Sequence, residues 1–244
     1  MKNYYYDLHI HSCLSPCGDD DSTPDSIAGM GELNGLDIMA LTDHNTCKNC
    51  PAFFEAAVKH GILPVAGMEL TTAEDIHTVC LFPNLEKALQ FEAELRSRRI
   101  LFENRADIFG NQFVCDSEDN IVGEEKFLLS NATTVSLDEA PSFVEKFGGI
   151  CYPAHIDRDS NGVIAVLGAF PVSPSFYCAE LHNREKITDY EELSGLSAEK
   201  IIISSDAHYL WDIKEKLDFL TLPEIEKGSL NAGEYIINYL REFR

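Results

Sequence analysis

A chain of 244 residues is long enough for one large domain or two small ones, and 45% apolar residues supply an ordinary globular core. The formal charge is −22, from 41 acidic against 19 basic residues; such a surface repels polyanions, which excludes duplex nucleic acid as an expected partner, while small anions can still bind where cations reverse the local sign. The chain lacks a basic-then-apolar leader and a long apolar run, so the expectation is a cytoplasmic protein without signal peptide or membrane contact, its eight cysteines held as thiols.

Tyr4, Tyr5 and Tyr6 lead into Asp7-Leu8-His9-Ile10-His11-Ser12, a β-strand by residue preference. Residues two apart share a face, so Asp7, His9 and His11 point one way, about 7 Å between neighbours, and Leu8 and Ile10 pack the other. A polar loop follows to Ser22. Thr23-Pro24 starts a helix that Gly35 closes. Leu36 to Leu41 is a second strand ending in Thr42-Asp43-His44. Pro51 opens a second helix, Gly61 ends it, and Ile62 to Met68 is a third strand ending at Glu69. Metal-compatible side chains thus fall at the carboxyl ends of strands, the rim on which parallel α/β barrels carry their chemistry. Only a short link separates Glu69 from the next strand, Ile76 to Phe82. A parallel crossover needs a dozen or more residues, so this strand should run antiparallel and bring His77 to the rim beside Glu69.

Asn84 caps a helix reaching to about Arg98. Residues 99–135 hold a hairpin, Val114-Cys115 and Ile121-Val122, and read as an insertion or lid. Ser136-Leu137-Asp138-Glu139 is a capping box whose helix ends at Gly148-Gly149. Strands follow at Ile150 to Ala154, ending in His155; at Phe176 to Leu181, ending in His182; and at Lys200 to Ser204, ending in Asp206 and His208. Phe219 to Leu222 is an edge strand, and Glu234 to Phe243 a closing amphipathic helix. The fold expected is α/β, a distorted TIM-like (β/α)7 barrel, in one domain over residues 1–244 with the small insertion.

His9, His11, His44, Glu69, His77, His155, Asp206 and His208 therefore share one predicted rim, with donors suited to Zn, Mn or Fe. His60, before Gly61, is explained by the helix end it caps. In order, the stretches from Asp7 to His11, Asp43-His44, Glu69 with His77, His155, and Asp206 with His208 resemble the PHP family, named for polymerase and histidinol phosphatase, over nearly the whole chain. The resemblance implies two or three divalent ions. His9, His11, Glu69 and Asp206 would hold the first. Glu69 would bridge to a second with His77 and His155. His44 and His208 would hold a third. An Asp or His usually follows the first His pair by a few residues; Pro16 occupies that place here, and Asp19 is the substitute, with Asp20 and Asp21 as rivals.

The activity implied is phosphoester hydrolysis of a small phosphorylated metabolite or nucleotide by a metal-activated hydroxide. Asp206 and His208 count among the catalytic candidates, and Arg158 and Arg184, on rim loops, are placed to fork onto phosphate oxygens. Asp43 reads as a partner orienting an imidazole. Cys13, Cys17, Cys47 and Cys50 lie in adjacent rim loops; as a thiolate quartet they would bind zinc or an iron–sulfur cluster, and a non-catalytic metal or redox sensor is the alternative function.

Overall fold

The computed structural model describes residues 1–242. The tyrosine-led segment forms β1 (Lys2–Ile10). Helix α1 (Pro24–Leu33) returns the chain to β2 (Ile38–Leu41), and α2 (Cys50–Lys59) returns it to β3 (Leu63–Thr71). These three strands are mutually parallel. The short link then reverses the direction: β4 (His77–Phe82) pairs antiparallel with β3, Thr71 opposite His77 and Glu69 opposite Val79. A tight return of this kind leaves no room for a crossover helix.

Helix α3 (Leu85–Leu95) begins at Asn84, whose side chain accepts from the Lys87 N–H, and runs into a 3-10 turn ending at Arg98. The short α4 (Ala106–Phe109) and the antiparallel hairpin β5 (Phe113–Cys115) and β6 (Ile121–Glu124) make up the insertion. It packs on the loop after β1, where the Phe113 N–H donates to the Cys13 carbonyl. Asp119 of the insertion accepts the free N–H groups of Asp25 and Ser26 at the start of α1. A side chain distant in sequence thus caps this helix in place of Thr23, relieving the unpaired donors of its first turn.

Ser136 and Glu139 form the reciprocal box, and α5 (Ala140–Glu145) follows. Strand β7 (Ile150–Pro153) pairs antiparallel with β4. After α6 (Val163–Leu167), β8 (Ala179–Leu181), α7 (Ile187–Ser194) and β9 (Ile201–Ile203), the chain adds β10 (Phe219–Leu222) antiparallel to β1 and closes with α8 (Ala232–Arg241). The predicted end of that helix at Phe243 lies outside the described residues.

The result is a curled half-barrel rather than a continuous seven-stranded ladder. Six strands run in the order β10, β1, β2, β3, β4, β7, and β8 and β9 form a separate parallel pair. Beyond β9 a lone bridge between Ile10 and Ala207 ties the chain back to β1. One apolar cluster lies between the sheet and α1, α2, α3 and α5, and a second joins the sheet to α8. Between them they bury both faces of the parallel strands, which is why those strands read as continuous apolar runs. No helix of the described residues is long and apolar enough to cross a membrane.

Candidate metal centre

His9 and His11 leave the end of β1 on one side, with ring centroids 5.1 Å apart. His44 follows β2, Glu69 lies in β3, His77 starts β4, and His155 follows β7. Asp206 and His208 follow β9. All converge on one mouth: Glu69 lies within 3.4 Å of ring nitrogens of His9, His11, His44, His77 and His155. Three groupings have donor atoms close enough to share an ion: His9, His11, Glu69 and Asp206; His44, Glu69 and His77; and His11, His44 and His208. His155 and Asp206 both have positive φ, 28° and 51°. Non-glycine residues held there cost about 1–3 kcal/mol each, a strain typical of functional sites.

The tautomers can be read from the partners. His9 Nδ1–H donates to Glu180 Oε1 at 2.8 Å. Ser15 Oγ donates to Asp43 Oδ1 at 2.8 Å, so it accepts from His11 Nδ1–H at 2.9 Å. Both Nε2 atoms are then left with lone pairs, and they face each other at 3.1 Å. Two lone pairs at that separation repel unless a cation or proton lies between them. Beside them Asp206 Oδ1 is buried without a hydrogen-bond partner, as is His155 Nδ1. This donor set fits a divalent ion with nitrogen and oxygen ligands.

Without metal, protons compensate. Burial disfavours charge on all these groups, but Glu180, Asp206 and Glu69 lift His9 well above the ordinary imidazole range, and Asp206 and Glu69 lift His11. Against the same burial, the imidazoles pull Glu69 and Asp206 far below the usual carboxylate range. Burial prevails at His77, whose pKa is lowered.

Arg158 lies at the mouth, Nη1 2.8 Å from Asp206 Oδ2. The mouth is a pocket of about 160 Å³ lined by Cys17, His44, Glu69, His77, His155, Arg158, Ser160, Asn161, Asp206 and His208. A larger groove of about 850 Å³, walled by Phe54, Val58, Leu85 and Leu230 with Glu55, Lys59 and Glu86, shares none of these residues.

Three expectations are corrected. Asp19 does not join the cluster: its carboxylate accepts the N–H of Asp21 at 2.9 Å within its own loop. Arg184 lies outside the metal pocket, because from the turn over Arg184–Lys186 its guanidinium pairs with Asp218. The cysteine quartet does not assemble. Cys13 Sγ stands 3.6 Å from Cys115 Sγ, Cys47 and Cys50 turn into the core toward the Gly67 carbonyl, and Cys17 enters the metal pocket. His182 binds the Ser205 carbonyl through Nδ1, and His60 pairs with Glu32 and Asp25 on α1.

Glu180 was missed, and Cys17 was assigned to the quartet rather than to this pocket. Glu180, fully buried, also accepts the His155 N–H, so one carboxylate orients two of the imidazoles. Its signal was a lone acid inside the apolar strand β8. Cys17 Sγ lies 3.3 Å from His44 Nε2. Against burial, His44 and His208 draw its thiol down to about 5.

Residues 7–148 match the family model of the PHP domain. The error-prone DNA polymerase of Symbiobacterium thermophilum is 36% identical over 74 residues, 30% of this chain and 7% of that protein. The 5'-3' exoribonuclease of Haemophilus influenzae is 32% identical over 111 residues, 44% of this chain and 39% of that protein. The chain therefore matches well under half the length of these relatives. The lesion-specific endonuclease Q of Pyrococcus furiosus superposes with a TM-score of 0.58 at 16% identity, over 86% of this chain and 49% of that one. A structure of endonuclease Q with a 27-mer duplex carrying an abasic lesion at its active site gives 0.55 at 15% identity, over 86% and 50%. A protein of this fold thus takes duplex DNA, which overturns the exclusion drawn from net charge. The sign of charge at the mouth governs anion binding there, and total charge does not report it.

Proposed function

This chain belongs to the PHP domain family, whose members are metal-dependent hydrolases, and on that premise we propose that it hydrolyses phosphoesters of nucleotides or of nucleic-acid ends. The observation that carries the reading is the pair of facing Nε2 lone pairs of His9 and His11, ringed by Glu69 and Asp206. His9, His11, Glu69 and Asp206 would hold one ion, Glu69, His77 and His155 a second, and His44 and His208 a third. Those residues would hold divalent ions that, when bound, would supply a water of lowered pKa, toward ~7, and withdraw charge from a phosphoryl oxygen.

The protein's own groups do the positioning. Glu180 and Ser15 hold His9 and His11 in one tautomer, with Nε2 bare toward the pocket. Asp43 acts one step further back, through Ser15 and the N–H and hydroxyl of Ser12. Arg158, partly exposed above Asp206, offers the remaining N–H groups of its fork to a phosphate oxygen. A pocket of about 160 Å³ is smaller than the ~300–1,000 Å³ of sites that enclose a whole organic ligand. It suits a phosphoryl group and leaves the rest of the ester outside. Directly after His208, the exposed rings of Tyr209 and Trp211 stack on each other at 4.9 Å. An aromatic surface there supports a nucleoside as the outer part, since base stacking contributes about 1–3 kcal/mol per base.

The test is release of phosphate or nucleoside by purified protein with added Mn or Zn. The substrates are mononucleotides, sugar phosphates, and single-stranded and duplex oligonucleotides phosphorylated at either end. Asp206→Asn should abolish release. Metal-loaded protein inert to the whole panel would sink the reading.

A further inference from the structure

We propose that Cys17 is a thiolate ligand of the third cation position, completing it with His44 and His208 and making it selective for a soft divalent ion. The inference rests on the metal-dependent reading above and specifies the chemistry of one part of it. The loop after β1 is folded tightly on itself. The Cys13 N–H donates to the Ser22 carbonyl, the Gly18 N–H to Ser15, and the Asp19 N–H to the His208 carbonyl at 2.9 Å. At Gly18 a Cβ would stand 2.4 Å from the Ser12 carbonyl oxygen, so only glycine permits this approach. The fold of the loop turns Asp19 back on its own backbone and sends the preceding side chain but one, Cys17, into the pocket.

There the sulfur is 3.3 Å from His44 Nε2 and lines the same pocket as His208. It is not an isolated thiol. His11, His44 and His208 present three ring nitrogens close enough to share one ion, and His208 Nδ1–H is committed to the Asp206 carbonyl, leaving its Nε2 bare. Asp206, buried and with Oδ1 unpartnered, is turned into the same pocket. A sulfur among imidazoles is a donor set for Zn, Fe(II) or Co(II), and a poor one for Mn or Mg, which favour oxygen. The first two positions, built from imidazole and carboxylate, lack that bias.

Cobalt titration tests this directly. Metal-free protein should take up three equivalents of Co(II), one of them raising a near-ultraviolet thiolate-to-cobalt charge-transfer band. Cys17→Ser should lose the band and one equivalent. Cys17→Asp should regain the third equivalent without the band. Cys17 is the one exposed cysteine of the eight, so a thiol-alkylating reagent should modify it first in the native metal-free protein. Bound Co(II) should slow that reaction at least about tenfold by occupying the thiolate. A wild-type protein that binds cobalt without the band, or a Cys17→Ser protein that keeps it, overturns the assignment and leaves the phosphoesterase reading standing. A wild-type protein that binds no divalent ion overturns both.

Discussion

Two charged clusters, one reaching the surface at Arg184, lie on either side of the segment from Ser204 to Asp206, and they differ in one respect. In the first, Asp7, Lys214, Asp218 and Arg184 are matched. Lys214 Nζ donates to the Ile203 carbonyl, lies 3.5 Å from Asp218 and sits over the Tyr6 ring; Arg184 pairs with Asp218; and Asp7 accepts the N–H groups of Ser205 and Lys214. In the second, six imidazoles crowd Glu69, Asp206 and Glu180, with bare nitrogens facing each other at 3.1 Å. Residue type alone does not separate them, since both are rich in acids and bases. The distinction is the lone pairs with nothing to receive them. A matched cluster is complete as it stands, whereas an unmatched one takes up protons or a cation.

The sharpest way to break this contrast is Glu69→Gln. One carboxylate serves five imidazoles, so its neutral amide should cost at least two ions and several kcal/mol of transition-state stabilisation, a fall in turnover of about 10³-fold or more. Metal analysis alongside rates checks it, and a variant with full metal content and near-normal turnover would refute the bridging role. Glu180→Gln should do less. It touches no reacting atom, but it fixes the His9 tautomer and the His155 backbone; such partners are worth about 10–100-fold in metal affinity. The loss should appear as weaker metal binding with kcat recovered at saturating metal, which a merely structural role would not give.

Much of the mouth was legible because the signals were local. Alternation in β1 put His9 and His11 on one face, and the short link after Glu69 required an antiparallel β4 that brings His77 within 2.9 Å of it. What was not legible depended on how loops fold. Asp19 and Cys17 are two residues apart in one loop, and the close approach at Gly18, invisible to any periodicity, decides which enters the pocket. Cys13 and Cys47 look alike in sequence, yet one meets the insertion at Cys115 and the other the core. The seven-stranded barrel was expected from chain length, the strand–loop–helix rhythm and the family resemblance, none of which reveals that β8 and β9 pair with each other and that the tie back to β1 is the Ile10–Ala207 bridge beyond β9. The exclusion of duplex nucleic acid failed for a related reason: net charge is a sum over the chain and says nothing of where positive charge gathers.

The matched cluster gives the opposite response to mutation. Asp218→Asn leaves Lys214 and Arg184 without their shared acid, and an interaction of this partly buried kind costs about 1–3 kcal/mol when one partner is removed. Denaturant unfolding should show that loss while metal stoichiometry stays at the wild-type value. Loss of an ion in this variant would mean that the two clusters are not separate.

The smallest effect, and the most specific, is the pH dependence of stabilisation by metal. In the metal-free fold His9 and His11 bind protons more tightly than unfolded imidazoles do; His44 does too, but its partner Cys17, drawn down to about 5, gains stability with rising pH and offsets it over this range. The stabilising contribution of His9 and His11 is therefore complete below about pH 6.5 and is lost as pH rises through the higher folded values. A divalent ion requires the same nitrogens bare, so its binding displaces those protons and strengthens as they leave. The two effects run in opposite directions: between pH 6 and 8 the metal-free Tm should fall, and the increase in Tm given by saturating Zn or Mn should grow. For a chain of this size each kcal/mol corresponds to about 2–4 °C. The matched cluster holds no histidine, so Asp218→Asn should lower Tm without removing this trend. A metal-induced shift that stays constant over the same range would show that the ion is held by groups other than these imidazoles, and the facing lone pairs would then need another explanation.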